Sequence, residues 1–190
     1  MDQKRPEYII DVFADSACAK DVVKAILHTI FFHRYFISIS PLTRDLLDLT
    51  LPAIDDVDLE TMIDSRTTSL VRAIDGTHQQ RGRGRLAVQF FEKKRKKAYF
   101  FGKADEEVCW EQWTLDVTLA TPRTETDVLK VRRAMTKSLQ KAAFKIVKIV
   151  NEHKDHIPPI TTTDQNPFPY DVVVNPKPST DTWGPRMGLF

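Results

Sequence analysis

Residues 86–90 read Leu-Ala-Val-Gln-Phe, and residues 113–119 read Trp-Thr-Leu-Asp-Val-Thr-Leu. In both stretches large apolar side chains alternate with small or polar ones, and this period of two predicts two half-buried strands. The long connection between them contains the run KKRKKAYFFGKADEE, so we interpret the pair as a hairpin. Because an antiparallel hairpin stands in a chain that otherwise alternates strands and helices, the sequence predicts an α+β domain. Its helices pack against a mostly antiparallel sheet.

The N-terminal elements are predicted from the same kind of pattern. Residues 8–13 are rich in β-forming side chains and predict a first strand. Asp15 or Ser16 then caps a helix whose apolar residues recur at helical spacing to about Arg34. Residues 46–51 alternate weakly and predict one edge strand.

Two further helices and a last strand follow. Asp55 and Asp56 precede the second helix, whose first-turn acids suit the helix dipole. The third helix, capped by Thr124 or Thr126, has the clearest apolar periodicity in the chain. Its apolar stripe comprises Val128, Val131, Met135, Leu139, Ala142, Ile146 and Ile149, and its basic side comprises Lys130, Arg133, Lys137, Lys141, Lys145 and Lys148. The run Tyr170–Val174 predicts a short strand.

The composition is that of an ordinary globular protein, with 42% hydrophobic and 28% charged residues in a chain of 190. We predict one domain over residues 1–175 and a Pro-rich tail over residues 176–190. No secretory signal or membrane-spanning stretch is predicted. Two cysteines, Cys18 and Cys109, are typical of reduced thiols, so the expected location is the cytoplasm.

Charge is distributed unevenly although the net charge is only +2. Residues 45–64 contain seven acids and no base, whereas residues 81–97 contain eight bases and one acid. Such segments predict oppositely charged surfaces that steer a partner. The basic segment has two interpretations, a solvated hairpin or a contact with nucleic acid, and the second gives our alternative function, a chromatin- or nucleic-acid-associated protein.

The sequence contains no recognisable arrangement for catalysis. His28 and His33 are five residues apart, which places them on different faces of the first helix. His153 and His156 are three apart, but no acid or cysteine cluster joins them. Phosphate-binding glycine motifs and calcium loops are missing. We therefore predict no enzymatic activity, no metal and no cofactor.

Two features favour binding instead. Three consecutive aromatic residues, Tyr99, Phe100 and Phe101, occupy the hairpin connection, where they either fold onto the core or protrude as anchors for a partner. The basic side of the third helix is either a solvated face or a contact for acidic lipid or an acidic partner.

Several stretches resemble the autophagy-related protein 101 family, HORMA-domain subunits of the autophagy-initiation kinase complex. The first is residues 25–34, Ala-Ile-Leu-His-Thr-Ile-Phe-Phe-His-Arg; the second is residues 90–94, Phe-Phe-Glu-Lys-Lys. The third is residues 110–114, Trp-Glu-Gln-Trp-Thr, which match the signature W-E-x-W-T. The resemblance runs from about residue 8 to residue 152, with looser similarity at Tyr170–Val174.

The resemblance implies a HORMA fold and a non-enzymatic adaptor. Such an adaptor pairs with the HORMA domain of autophagy-related protein 13 and stabilises it, while the adaptor's own HORMA domain holds an open-like state. It helps to assemble the kinase complex at the phagophore assembly site. A hairpin finger containing a Trp and a Phe recruits downstream autophagy factors in the family. Here Tyr99, Phe100 and Phe101 occupy that position and no Trp is present, so the identity of the recruited factor does not carry over.

The partner-binding face is a separate prediction. We place it on the first strand, the weak strand over residues 46–51 and the second helix, where an acidic surface could meet a basic partner. Its candidate residues are Leu47, Leu49, Leu51, Asp55, Asp56 and Asp58. Specific nucleic-acid binding is not expected under this reading, and any membrane contact is expected to be weak.

Overall fold

A computed structural model describes residues 5–76, 82–95, 105–161 and 166–176. Within these ranges the chain forms six strands and three helices. They are β1 (Glu7–Asp15), α1 (Ala19–Arg34), β2 (Pro41–Leu46), β3 (Leu49–Ile54), α2 (Val57–Asp75), β4 (Arg83–Arg95), β5 (Asp105–Ala120), α3 (Glu125–Glu152) and β6 (Tyr170–Val174).

The main sheet has the strand order β1-β5-β4-β6. The predicted hairpin is its centre, since β4 and β5 pair antiparallel with Leu86 opposite Leu115. On one side β6 pairs antiparallel with β4, and on the other side β1 pairs parallel with β5. The α+β class and the mostly antiparallel sheet are therefore confirmed, and with three helices the fold is HORMA-like.

One face of the sheet supplies the core. Ile10, Leu86 and Leu115 lie at paired positions on this face and are fully buried. The helices cover the same face: the ring of Phe31 in α1 lies 5.7 Å from that of Phe90 in β4. The opposite face carries Asp11, Arg85, Gln112 and other mainly polar side chains, since successive residues of a strand point to opposite sides.

The predicted edge strand over residues 46–51 is wrong. The structure has an antiparallel two-stranded sheet, β2 and β3, joined by a two-residue turn at Leu47 and Asp48. Both turn residues have positive φ, 50° and 63°, as in a type I′ turn, which normally selects Asn and Gly. Leu47 is only 8% exposed, so the burial of its side chain offsets the energetic cost of its positive φ. The sequence does not predict the turn, because Leu is not a turn-forming residue.

The helix boundaries follow capping chemistry. Thr124 caps α3 as predicted, because its hydroxyl accepts the N–H of Asp127 at 3.1 Å. Asp56 caps α2 through the N–H of Leu59 at 2.9 Å. The helix α1 begins at Ala19, later than predicted, because Asp15 uses its carboxylate in a turn with the N–H of Cys18 at 2.7 Å.

The outer edge of β1 is covered by α3. The N–H of Phe13 donates to Ser138 Oγ at 3.1 Å, and Lys145 Nζ donates to the carbonyl of Ile9 at 2.7 Å. These bonds occupy strand groups that a bare edge would offer to another chain.

Candidate partner-binding surfaces

The signature Trp-Glu-Gln-Trp-Thr at residues 110–114 lies in β5, and all five residues are buried rather than exposed. Trp110, Glu111 and Trp113 are all buried, and Glu111 has no exposed surface. A carboxylate without water contact must be paired and hydrogen-bonded to be tolerated. The partners of Glu111 therefore explain why the signature contains an acid between two tryptophans.

Glu111 is the centre of a buried ionic network. Arg34, which ends α1 and is 3% exposed, donates from Nε to Oε1 of Glu111 at 2.9 Å and to Oε2 at 3.1 Å. The indole N–H of Trp113 also donates to Oε1, and His156 Nε2 lies 2.7 Å from Oε2. Arg34 uses Nη2 to reach the carbonyl of His153 at 3.1 Å. The network thus ties α1, β5 and the segment after α3 together.

Aromatic packing holds the chain that leads into β6. Phe168 packs against Trp110 with ring centroids 5.1 Å apart and against Phe36 at 5.4 Å. Tyr170 packs edge-on against Phe31 at 4.9 Å. Within the part of the chain that the structure describes, the indole N–H of Trp110 is buried without a hydrogen-bond partner. Residues 168–170, which lead into β6, are consequently a packed part of the domain.

A second polar network joins α1, α2 and both strands of the β2–β3 hairpin. His28 is fully buried; its Nδ1 accepts the N–H of Ile54 at 3.5 Å, so the proton on Nε2 donates to Glu60 at 2.8 Å. Glu60 also pairs with Lys24 and with Arg44, the latter at 2.8 Å. Burial lowers the pKa of His28 although Glu60 opposes that shift, so the imidazole is held neutral. Burial of Glu60 would raise its pKa, but Lys24, His28 and Arg44 lower it overall.

The predicted interface residues fall into two groups. Leu47 and Leu51 are buried against the chain's own core, and Leu49 is half-buried. Asp55 and Asp58 are exposed beside the start of α2, while Asp56 caps that helix and accepts the hydroxyl of Tyr35 at 3.3 Å. A role of Leu47, Leu49, Leu51, Asp55, Asp56 and Asp58 in partner binding stays a prediction. Tyr99, Phe100 and Phe101 lie outside the described residues.

Sequence reasoning missed an apolar surface on α3. Its predicted core stripe is buried from Met135 to Ile149, but Val128 is 48% exposed and Leu129 is 61% exposed. Arg132, one turn further on, lies 3.9 Å from Asp48 in the β2–β3 turn. We call Val128, Leu129, Arg132 and Asp48 the α3–turn patch. Leu129 is a large apolar residue outside the core stripe, and this could have indicated an exposed apolar surface from the sequence alone.

The basic side of α3 is exposed as predicted. We call Lys130, Lys137, Lys141, Phe144 and Lys148 the lysine face, because these residues recur at intervals of seven, four, three and four. That spacing places them within an arc of about 60° on a regular helix. Phe144, which lies between Lys141 and Lys148 along the helix, is 67% exposed.

The basic hairpin segment is partly neutralised where it can be described. Arg85 pairs with Asp116 across the sheet at 3.0 Å, and Lys94 pairs with Glu92 at 2.8 Å. These pairs leave fewer free cations for phosphates than the sequence suggested.

Other kinds of site find little support among the described residues. No group of three or more His, Cys, Asp or Glu side chains there could hold a metal ion, and His156 bonds Glu111 instead. Within the same residues, no helix has the length and apolar character needed to cross a bilayer.

Comparison with known proteins identifies the family. The model of the autophagy-related protein 101 family matches residues 11–164. Autophagy-related protein 101 of Arabidopsis thaliana is 29% identical over 189 residues, which cover 88% of this chain and 85% of the relative. The Schizosaccharomyces pombe protein is 30% identical over 167 residues, covering 87% and 84%, and the human protein is 20% identical over 172 residues, covering 83% and 77%. The chain therefore belongs to the autophagy-related protein 101 family.

Proposed function

We propose that this protein is a non-enzymatic adaptor that forms a heterodimer with the HORMA domain of autophagy-related protein 13. By stabilising that partner it helps to assemble the autophagy-initiation kinase complex in the cytoplasm, at the phagophore assembly site. The observation that carries the proposal is the family match, which spans residues 11–164 and therefore most of the domain.

The arrangement of the sheet supports an adaptor that binds through its surface. On the β5 side, β1 already occupies the edge, and α3 in turn bonds the outer groups of β1. On the β4 side, β6 is paired along its length. A peptide could join the β5 side only by displacing β1, which supports an open-like HORMA state and pairing through side-chain surfaces.

The α3–turn patch is the surface that best fits a protein partner. Val128 and Leu129 are large, exposed and adjacent, and clustered exposed apolar side chains mark protein-binding sites. The patch adjoins the acidic β2–β3 hairpin, where Asp45 and Asp48 are exposed. An apolar centre beside charged residues is the usual composition of a protein interface. This surface joins α3 to the hairpin region that the sequence had suggested.

The test is co-expression of the full chain with the HORMA domain of autophagy-related protein 13, followed by size-exclusion chromatography at micromolar concentration. We expect one co-eluting complex; separate elution would refute the proposed function. Leu129→Asp should weaken the complex about tenfold or more, because it buries an unpaired charge. Ile160→Asp is the matched control, since Ile160 is 56% exposed but lies outside the patch. If only Asp55→Lys with Asp58→Lys weakens the complex, the interface lies at the start of α2 instead.

The recruitment of downstream factors is a second part of the proposal. We assign it to Tyr99, Phe100 and Phe101, on the basis of the family resemblance and the anchoring capacity of aromatic side chains. Tyr99→Ala combined with Phe100→Ala or Phe101→Ala should leave the heterodimer intact and reduce autophagic flux in cells. Loss of the heterodimer in these variants would contradict the assignment.

A further inference from the structure

The lysine face is a row of uncompensated positive charge. Its cations are Lys130, Lys137, Lys141 and Lys148, and all four are exposed. Among the described residues, none of the four forms an ion pair with an acid. Residues 128–151 of α3 contain seven bases and no acid at all. A helix that only needed solubility would normally mix both signs of charge, so this row calls for an anionic partner.

The shape of the row limits what that partner can be. From Lys130 to Lys148 the helix rises about 27 Å, so the four ammonium groups form a straight line along one side of the molecule. Lys145, on the flank of this row, is held at β1 by its bond to the carbonyl of Ile9 at 2.7 Å. A long, straight and single-signed row matches a flat anionic surface better than a compact acidic pocket.

The choice of lysine favours lipid over protein. Arginine predominates where carboxylates are bound bidentately, and lysine is depleted at protein interfaces. Lysine acts as a point charge, which suits the diffuse negative potential of a membrane surface. Phe144 stands among these lysines and is 67% exposed. An aromatic ring flanked by lysines is an arrangement by which interfacial helices reach between lipid headgroups.

The lysine face is separate from the α3–turn patch. Leu129 lies about 100° around the helix from Lys130, and the rest of the lysine face extends toward the C-terminal half of α3. The inference therefore does not rest on the proposed heterodimer.

We infer that the lysine face docks the protein onto anionic lipid bilayers, with Lys137, Lys141 and Lys148 contacting the headgroups and Phe144 inserting between them. The interaction is peripheral and is driven by the released counterions and the negative surface potential.

The test is flotation of the full-length chain with vesicles of phosphatidylcholine alone or with about 30 mol% phosphatidylserine. We expect binding only to the anionic vesicles, and its loss at about 0.5 M salt, where the Debye length is short. Substituting Lys137, Lys141 and Lys148 by Gln should reduce binding about tenfold or more. Phe144→Ala should reduce it several-fold with the charge unchanged.

A charge-matched control separates the face from net charge. Arg66 and Arg72 in α2 and Lys93 in β4 are exposed and lie outside α3, and substituting them by Gln removes the same three charges. The control should bind like the wild type, and circular dichroism melts should show all variants folded. Failure of the wild type to bind anionic vesicles would overturn the inference, as would equal loss in the control. Tight binding of soluble polyglutamate that Phe144→Ala leaves unchanged would indicate an acidic protein partner instead and would also overturn it.

Discussion

Replacing Glu111 by Gln isolates the charge of the buried network with almost no change in shape. The side chain has no exposed surface, and Arg34 is 3% exposed, so water cannot compensate either group. The amide can still accept from the indole of Trp113, but it offers Arg34 no anion. A buried guanidinium without its counterion costs about 3–5 kcal/mol of stability. Because a whole domain is stable by only about 5–15 kcal/mol, this single substitution removes a large part of the total.

The assay is urea unfolding followed by the fluorescence of the buried tryptophans. The matched control is Asp116→Asn, which breaks the Arg85–Asp116 pair at 3.0 Å, where Arg85 is 62% exposed. That exposed pair should contribute no more than about 1 kcal/mol. Combining Glu111→Gln with Arg34→Met removes the unpaired cation as well. The stability lost by the double variant should therefore be smaller than the sum of the two single losses, by about 2 kcal/mol or more.

Hydrogen exchange adds a spatial test of the same reasoning. Arg34 and Glu111 hold His153 and His156, so Glu111→Gln should first raise exchange in residues 153–161 and in β6. A loss below about 1 kcal/mol, equal to that of Asp116→Asn, would refute the argument that this network stabilises the domain.

Two further predictions concern the packing of α2 against its neighbours. The pKa of His28 is lowered by burial, so the folded chain resists a proton that the unfolded chain accepts; stability should be retained above pH 6.5, the ordinary pKa of His, and fall as the pH drops below it. His28→Gln should reduce the fall in the urea midpoint between pH 7 and pH 5. Part of the fall should remain, because burial also lowers the pKa of His33. An unchanged dependence of the urea midpoint on pH would contradict the role of His28. Gly84→Ala would place its Cβ 2.6 Å from Ile74 Cγ1 and 2.9 Å from Ile74 Cδ1, so it should cost about 1–3 kcal/mol in denaturant unfolding. Adding Ile74→Ala relieves that clash, and strictly additive losses would show that no such contact exists.

Local patterns in the sequence predict those elements whose burial follows one period. The alternation of residues 86–90 and 113–119 becomes β4 and β5, and the three-and-four spacing from Met135 to Ile149 becomes the buried side of α3. Val128 continues that stripe but is 48% exposed. Periodicity indicates which side of a helix is apolar, but it does not show how far along the helix the rest of the domain covers it.

Contacts between distant residues were beyond that reasoning. The parallel pairing of β1 with β5 brings Ile10 opposite Leu115, and no local pattern encodes such a register. Arg34 and Glu111 are 77 residues apart, and each is an unremarkable charged residue in its own segment. The β2–β3 turn is local, but its sequence gives no signal for it. Leu47 and Asp48 adopt positive φ, whereas turns of this type usually contain Asn and Gly.

The structure changes the meaning of the W-E-x-W-T signature. Its residues are buried, and Glu111 forms hydrogen bonds with Arg34, Trp113 and His156. The signature is thus an internal support that fixes the base of the hairpin and the segment after α3. Substitutions there should impair every interaction of the protein together, because they destabilise the fold, whereas substitutions in the α3–turn patch, the lysine face or residues 99–101 should each impair one. A variant of Glu111 that lost a single interaction while keeping full stability would be incompatible with this division.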